Sequence, residues 1–197
     1  MYAGHLDLSV PLWWTVARAL CDAACEAYLA RFRRGDAELA PIIRADGVGL
    51  DLALRNNTRI MWDDADEANH LLDQTASRMA EDGARFPERF QGGALAGANP
   101  RLRIYRYGPG ERHSAHWDTE HALASGALTR LTLVVYLNDD FVGGETDFPE
   151  LGVRVTPARG MALVFQQRVL HQACPVTEGA KFVLRTDVAY DASAGRG

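Results

Sequence analysis

The strongest constraint on this chain is a change of rhythm at residue 100. From there to residue 190 it runs as short segments rich in β-branched and aromatic residues, at 101–107, 131–138, 153–156, 161–165 and 181–190. Turn residues separate them at Gly108-Pro109-Gly110, Asn138-Asp139-Asp140, Gly143-Gly144 and Pro157-Ala158-Arg159-Gly160. Glycine there supplies positive φ and proline presets its own. Many short strands at such spacing predict a sandwich or jelly roll rather than a parallel sheet. Gly47-Val48-Gly49 is no dinucleotide fingerprint, because no third glycine follows at the right step.

Before residue 100 the pattern favours helices. Ser9-Val10-Pro11 reads as a helix start. Leu12, Val16, Leu20 and Ala24 then recur at helical spacing, and Tyr28, Leu29 and Phe32 extend the stripe to Gly35. Leu50, Leu52 and Leu54 alternate, which predicts a strand within residues 47–62 broken at Asn56-Asn57. Asp63-Asp64-Ala65-Asp66 suits the positive end of a second helix running to about Glu81. Residues 86–100, with Pro87 and Gly92-Gly93, read as a loop and a candidate lid. The expected fold class is α+β, mainly β: a jelly roll (double-stranded β-helix, cupin-like) with N-terminal helices packed on one sheet. One domain is expected over residues 1–197, with a helical support and entrance region at 1–100 and the jelly-roll core at 101–190.

Composition narrows the function. A hydrophobic content of 47% supports a sizeable core, and a net charge of −5 with interspersed signs argues against a general nucleic-acid binder. Cys21, Cys25 and Cys174 are an odd set, without the spacing of a secreted disulfide framework, and read as buried free thiols. The apolar run around Leu12-Trp13-Trp14 has no basic residue before it and is interrupted by Arg18, Asp22 and Glu26. No stretch approaches the roughly 20 apolar residues of a membrane span. These readings predict a cytoplasmic protein, with no membrane and no nucleic-acid partner. Oligomeric state stays open.

The chemistry lies in His116-Trp117-Asp118. In an extended segment, residues 116 and 118 share a face, so an imidazole and a carboxylate can reach one point. His171 follows across three expected strands, enough to cross the sandwich and return beside them. Two histidines and one carboxylate on one face of a metal are the arrangement of non-haem iron(II) oxygenases, with open positions for other ligands. His113 and His121 flank the motif as rival ligands, although His113 would point the other way in a regular strand. His5 and His70 read as solvated. A lone His-x-Asp is also common as a surface hydrogen-bonded pair.

The surroundings of the motif add a resemblance. In order, the chain carries Tyr107-Gly108-Pro109-Gly110, His116-Trp117-Asp118, Leu133-Val134-Val135-Tyr136-Leu137-Asn138, Gly143-Gly144-Glu145-Thr146-Asp147-Phe148, Pro157-Ala158-Arg159-Gly160 with the apolar run to Phe165, His171, and Gly179-Ala180-Lys181 to Arg185. From residue 103 to 190 it thus resembles the prolyl 4-hydroxylase-like branch of the 2-oxoglutarate/Fe(II)-dependent oxygenases. The resemblance implies Fe(II), 2-oxoglutarate as co-substrate and O2. It makes His116, Asp118 and His171 both the metal ligands and the catalytic centre. Lys181, ten residues past His171, stands where the family has the cation for the distal carboxylate of 2-oxoglutarate. Arg185, on the same strand face, is a second or alternative anchor. Tyr107 and Tyr136 are candidates to hydrogen-bond the same carboxylate, and Thr132 shares a face with Tyr136; each reads equally as packing with a satisfied hydroxyl.

The implied reaction is hydroxylation of an unactivated C–H bond on a peptidyl or free amino acid, coupled to oxidative decarboxylation of 2-oxoglutarate. The presence of Asp118 points to hydroxylation rather than halogenation. His113 departs from the aromatic residue usual three places before the first ligand. Gly143-Gly144 is read as a close backbone turn beside the site. Residues 86–100 and 119–130 are the expected substrate loops. Three other readings are an oxygenase acting on a non-amino-acid small molecule, a cupin-like binding or sensing module without turnover, and an isomerase-type metalloenzyme; the last two have no need of Lys181 at this spacing.

Overall fold

The computed structural model describes residues 6–44 and 47–191. His5 therefore lies outside the described residues. Its first elements are β1 (Trp13–Val16), α1 (Asp22–Arg34), β2 (Glu38–Leu39), β3 (Ile42–Arg44), β4 (Gly47–Gly49), β5 (Thr58–Asp63) and α2 (Ala65–Glu81). Then follow β6 (Arg89–Phe90), β7 (Gly93–Ala98), β8 (Arg101–Tyr107), β9 (His113–His116), β10 (Leu128–Tyr136), β11 (Val142–Gly143) and β12 (Thr146–Phe148). The chain closes with β13 (Val153–Val155), β14 (Ala162–Gln166), β15 (His171–Ala173), β16 (Val176–Glu178) and β17 (Lys181–Tyr190).

The large sheet runs β1-β14-β10-β17-β8-β5-β2, with β7 joined to β17 and β6 to β7. A smaller sheet, β13-β12-β15-β9, faces it, and both are antiparallel. This is the expected mainly β jelly roll. Strand alternation sorts the residues between two cores. On β10, Leu131, Leu133 and Val135 pack beneath the helices, while Val134 and Tyr136 face the space between the sheets. On β8, Leu102 and Ile104 join the helix side, and Tyr105 and Tyr107 the inter-sheet side.

Both helices cover the outer face of the large sheet. Helix α2 buries Ala68, Leu71, Leu72, Thr75 and Met79, the spacing of one helical stripe. Its N-cap Asp64 accepts from the Glu67 amide at 2.9 Å, so the acidic start read from the sequence is a true cap.

Three expectations before residue 100 fail. The first helix begins at Asp22 rather than beside Pro11, because Trp13-Trp14-Thr15-Val16 pairs antiparallel with β14. Bulky and β-branched side chains at helical spacing found an open sheet edge, and tertiary pairing overrode the pattern. The alternating Leu50, Leu52 and Leu54 form no strand and are all exposed. Residues 86–100 are not a lid: β6 and β7 lie there, and β7 extends the large sheet along β17. The entrance region is thus part helix and part sheet. Cys25 is buried as expected, but Cys21 is exposed and Cys174 half-buried; all three are free.

Candidate metal centre

His116 ends β9 and His171 begins β15, and the two are directly paired across the small sheet. Cross-strand pairing therefore brings together histidines far apart in sequence. Asp118 follows β9 and is held by its amide to Gln167 O at 3.0 Å. Ligand atoms of His116, Asp118 and His171 all lie within 4.8 Å of one another. His116 Nε2 is 3.7 Å from Asp118 Oδ1, and His171 Nε2 is 3.6 Å from Asp118 Oδ2.

Each imidazole is oriented from behind. His116 Nδ1 lies 2.8 Å from Ser114 O, and His171 Nδ1 lies 3.0 Å from Val169 O. A carbonyl can only accept, so Nδ1 carries the proton and the Nε2 lone pair is turned towards the carboxylate. Burial pushes both rings down, His116 to about 3, which keeps them neutral as metal ligands must be. Burial alone would raise Asp118, but Arg185, the two histidines and the Thr132 hydroxyl hold it well below the usual carboxylate range. Two neutral imidazoles and one ionised carboxylate fit iron(II).

His113 sits beside the triad instead of pointing away. The pairing of β9 with β15 shifts register between His171 and Ala173, and this irregularity turns His113 onto the His116 face. The two rings stack with centroids 3.5 Å apart. His121 lines the outer groove, whereas His70 is exposed, as expected.

Inward of the triad, a small pocket ends at Lys181. Its ammonium is only 2% exposed and donates to Gly144 O. It lies 5.3 Å from the Tyr107 ring centre and 5.4 Å from that of Tyr136. Burial brings its pKa down to about 8. No carboxylate forms an ion pair with Lys181 among the described residues, so the pocket presents a buried cation ready for a carboxylate. That fits 2-oxoglutarate. Gly143 and Gly144, both at positive φ, let the chain pass close: a Cβ on Gly144 would lie 3.1 Å from Lys181 Cδ.

The other candidates divide between two tasks. Tyr136 OH is 2.7 Å from Thr146 Oγ1 inside the pocket. Thr132 also lines that pocket, but its hydroxyl donates to Asp118 Oδ2 at 2.6 Å. Arg185 shares the strand face of Lys181, yet its guanidinium pairs with Asp118 Oδ1 at 2.8 Å and Asp187 Oδ1 at 3.1 Å.

Outward of the triad lies a groove of about 380 Å³. Sequence reasoning missed most of its walls: Arg55, Arg103, Tyr105 and the overhanging Ile42, Val48 and Leu54. Thr119 and His121 come from an expected substrate loop, but residues 86–100 contribute none of the lining. The missed signal was on β8, where Arg101, Arg103, Tyr105 and Tyr107 form a polar face opposite apolar Leu102 and Ile104. A polar face on an interior strand marks a site.

Residues 102–186 match the family described as the 2OG-Fe(II) oxygenase superfamily. Prolyl 4-hydroxylase 2 of Arabidopsis thaliana is 32% identical over 114 residues, covering 41% of this chain and 38% of the relative. The chain thus matches well under half of that relative's length. The fold resembles the viral collagen prolyl hydroxylase of Paramecium Bursaria Chlorella virus-1, in its 2OG complex, with a TM-score of 0.63 at 19% identity. That likeness covers 92% of this chain and 97% of the viral one. It also resembles a Trichoplax adhaerens prolyl hydroxylase bound to a hypoxia inducible factor peptide fragment, with a TM-score of 0.67 at 16% identity and coverage of 92% and 85%. Residues 102–186 are thus similar in sequence to the 2-oxoglutarate/Fe(II) oxygenases, and the whole fold is similar to that of the two prolyl hydroxylases. Among the relatives the similarity is to prolyl 4-hydroxylases.

Proposed function

We propose that the protein is an Fe(II)/2-oxoglutarate-dependent dioxygenase that hydroxylates an unactivated C–H bond of a peptidyl or free amino acid. The observation carrying this is the convergence of two neutral imidazoles and Asp118 beside a pocket that ends in buried Lys181. His116, Asp118 and His171 would hold iron(II), and Lys181 the distal carboxylate of 2-oxoglutarate, flanked by Tyr107 and Tyr136. Iron(II) with 2-oxoglutarate and O2 supplies the oxidising chemistry, and the chain supplies binding, orientation and exclusion of water. Ser114 O and Val169 O fix the imidazoles. Thr132 and Arg185 fix Asp118, so neither is assigned to the co-substrate. Free Cys21, Cys25 and Cys174 suit a reducing compartment, which supports a cytoplasmic protein. No described helix is long and apolar enough to cross a membrane.

The test is an anaerobic absorption titration of metal-free protein with iron(II) and then 2-oxoglutarate. A visible charge-transfer band is expected only with both added, and none with His171→Ala. Iron binding without the band in the unmutated protein overturns the co-substrate assignment and favours a binding module.

A further inference from the structure

The outer groove concentrates positive charge in an acidic chain. Its lining holds Arg55, Arg59, Arg101, Arg103 and Arg185 against one acid, Asp118, although the whole sequence carries a net charge of −5. Arg59 and Arg101 sit at the rim in pairs with exposed Glu38 and Asp63. Such pairs are solvated and contribute little.

The inner three arginines differ. Arg103 and Arg185 are directly opposite across β8 and β17, a like-charge pairing that is unfavourable by itself. Buried Asp187 stands between them, 3.1 Å from Arg185 Nη2 and 3.5 Å from Arg103 Nη1. Asn99 and Gln167 also donate to Asp187. Arg55 lies over the Tyr105 ring, 4.7 Å from its centre. Arg55 Nε donates to Asn57 Oδ1 and its Nη1 to Pro41 O, so it has no carboxylate partner. Arg103 and Arg185 share Asp187, and the second carboxylate, Asp118, which pairs with Arg185, belongs to the metal site. A divalent ion there draws on the charge of Asp118 and leaves the arginines in surplus. Buried donors are also under-used: Arg185 Nε has no hydrogen-bond partner, and Arg103 Nη1 has only its long ion pair with Asp187. The phenol of Tyr105 senses the same field. Burial alone would raise it, but Arg55, Arg185 and Arg103 bring it down to about 8.

We propose that this groove recognises a carboxylate, and that the substrate is a small organic acid of amino-acid size held by Arg55, Arg103 and Tyr105. The proposal rests on the oxygenase reading and names its substrate class. A guanidinium fork matches a planar carboxylate in shape as well as charge. The groove volume of about 380 Å³ suits a small molecule. Ile42, Val48 and Leu54 add apolar surface to the same lining. The interior of a neutral peptide offers no anion to satisfy these donors.

The experiment uses protein loaded with iron(II) and 2-oxoglutarate. Succinate release is measured with the free L-amino acids, their carboxamides, and phosphoserine with its phosphate-free parent. An acid is expected to stimulate turnover, with its amide weaker by about tenfold or more. Arg103→Gln and Arg103→Lys should each raise KM for the acid and shrink the acid–amide difference, while the visible band and half-saturation by 2-oxoglutarate stay unchanged. Arg103→Lys keeps the charge and loses only the fork, which guards against failure of Arg103→Gln to fold. Equal response to acid and amide, stimulation only by the phosphate ester, or no response to any acid with the band intact overturns the proposal. Absence of the band overturns the oxygenase reading, and this proposal falls with it.

Discussion

In the inner pocket a single ammonium, Lys181, is buried beside Tyr107 and Tyr136 with no ion pair among the described residues. In the outer groove Arg103 and Arg185 are tied into a network through Asp118 and Asp187, and Arg55 is held by Asn57 and Pro41 O. The two chambers meet at His116 and Arg55 and carry the same sign of charge. Lysine is a compact point charge whose proton can be lost, and burial already brings it down to about 8. Arginine stays charged, so the cations of the outer groove are fixed while that of the inner pocket can be lost. A cation without a fixed counter-charge gains most from a ligand that brings one. A cation already paired gains geometry more than energy.

That contrast can be broken in graded steps. Arg185→Met should cost the metal-free protein about 3–5 kcal/mol in chemical denaturation, because it strips a partner from buried Asp118 and Asp187. A divalent metal should recover part of the loss, since it replaces the charge facing Asp118. Equal losses with and without metal would show that Arg185 serves only Asp187.

Lys181→Met should weaken 2-oxoglutarate by about 10–100-fold in binding titrations. It should leave the melting temperature of the co-substrate-free protein unchanged or raised, because an ammonium buried without an ion pair is removed. A melting temperature that falls sharply would mean that Lys181 is structural, and the two chambers would then be alike.

The pH effects should be smaller and of opposite sign for binding and stability. The folded pKa of Lys181 is depressed, so the unfolded chain binds more protons between about 8 and the ordinary lysine value. Stability of the co-substrate-free protein should rise with pH through that window. Affinity for 2-oxoglutarate should fall over the same range, by about tenfold at most between pH 7 and 9. Affinity for the substrate acid should also fall above about pH 8, because ionised Tyr105 then offsets the arginines beside it, as competition titrations at each pH would show.

Thr132→Val should have the smallest effect, about 1 kcal/mol through loss of the hydrogen bond to Asp118, read as a weaker iron(II) affinity.

Much of the fold was legible after residue 100, because segments rich in β-branched and aromatic residues stand out as strands and glycine and proline mark their turns. Residues 101–107 and 181–190 are strands with the expected ends. The helix at α2 was legible from its acidic cap. Leu12 to Leu20 misled because aromatic and β-branched residues at helical spacing also suit an edge strand, and only the partner β14 decided between them. At the site, the triad and Lys181 were visible through motif spacing. The task of Thr132 was not: alternation gave its face, but which acceptor lay there depended on where Asp118 folded back.

The sequence by itself determined the jelly-roll class, the His-x-Asp and distant His that meet at one point, and the lysine behind them. The first follows from local periodicity, and the others from the order of motifs that resembles the prolyl 4-hydroxylase-like family. Tertiary structure alone decided that His113 joins the triad, that Arg185 holds Asp118, and that Arg55 and Arg103 close on Tyr105. Each depends on a register shift or on which strands become neighbours. Pairing across sheets is set by the burial of whole faces, which no short stretch of sequence encodes.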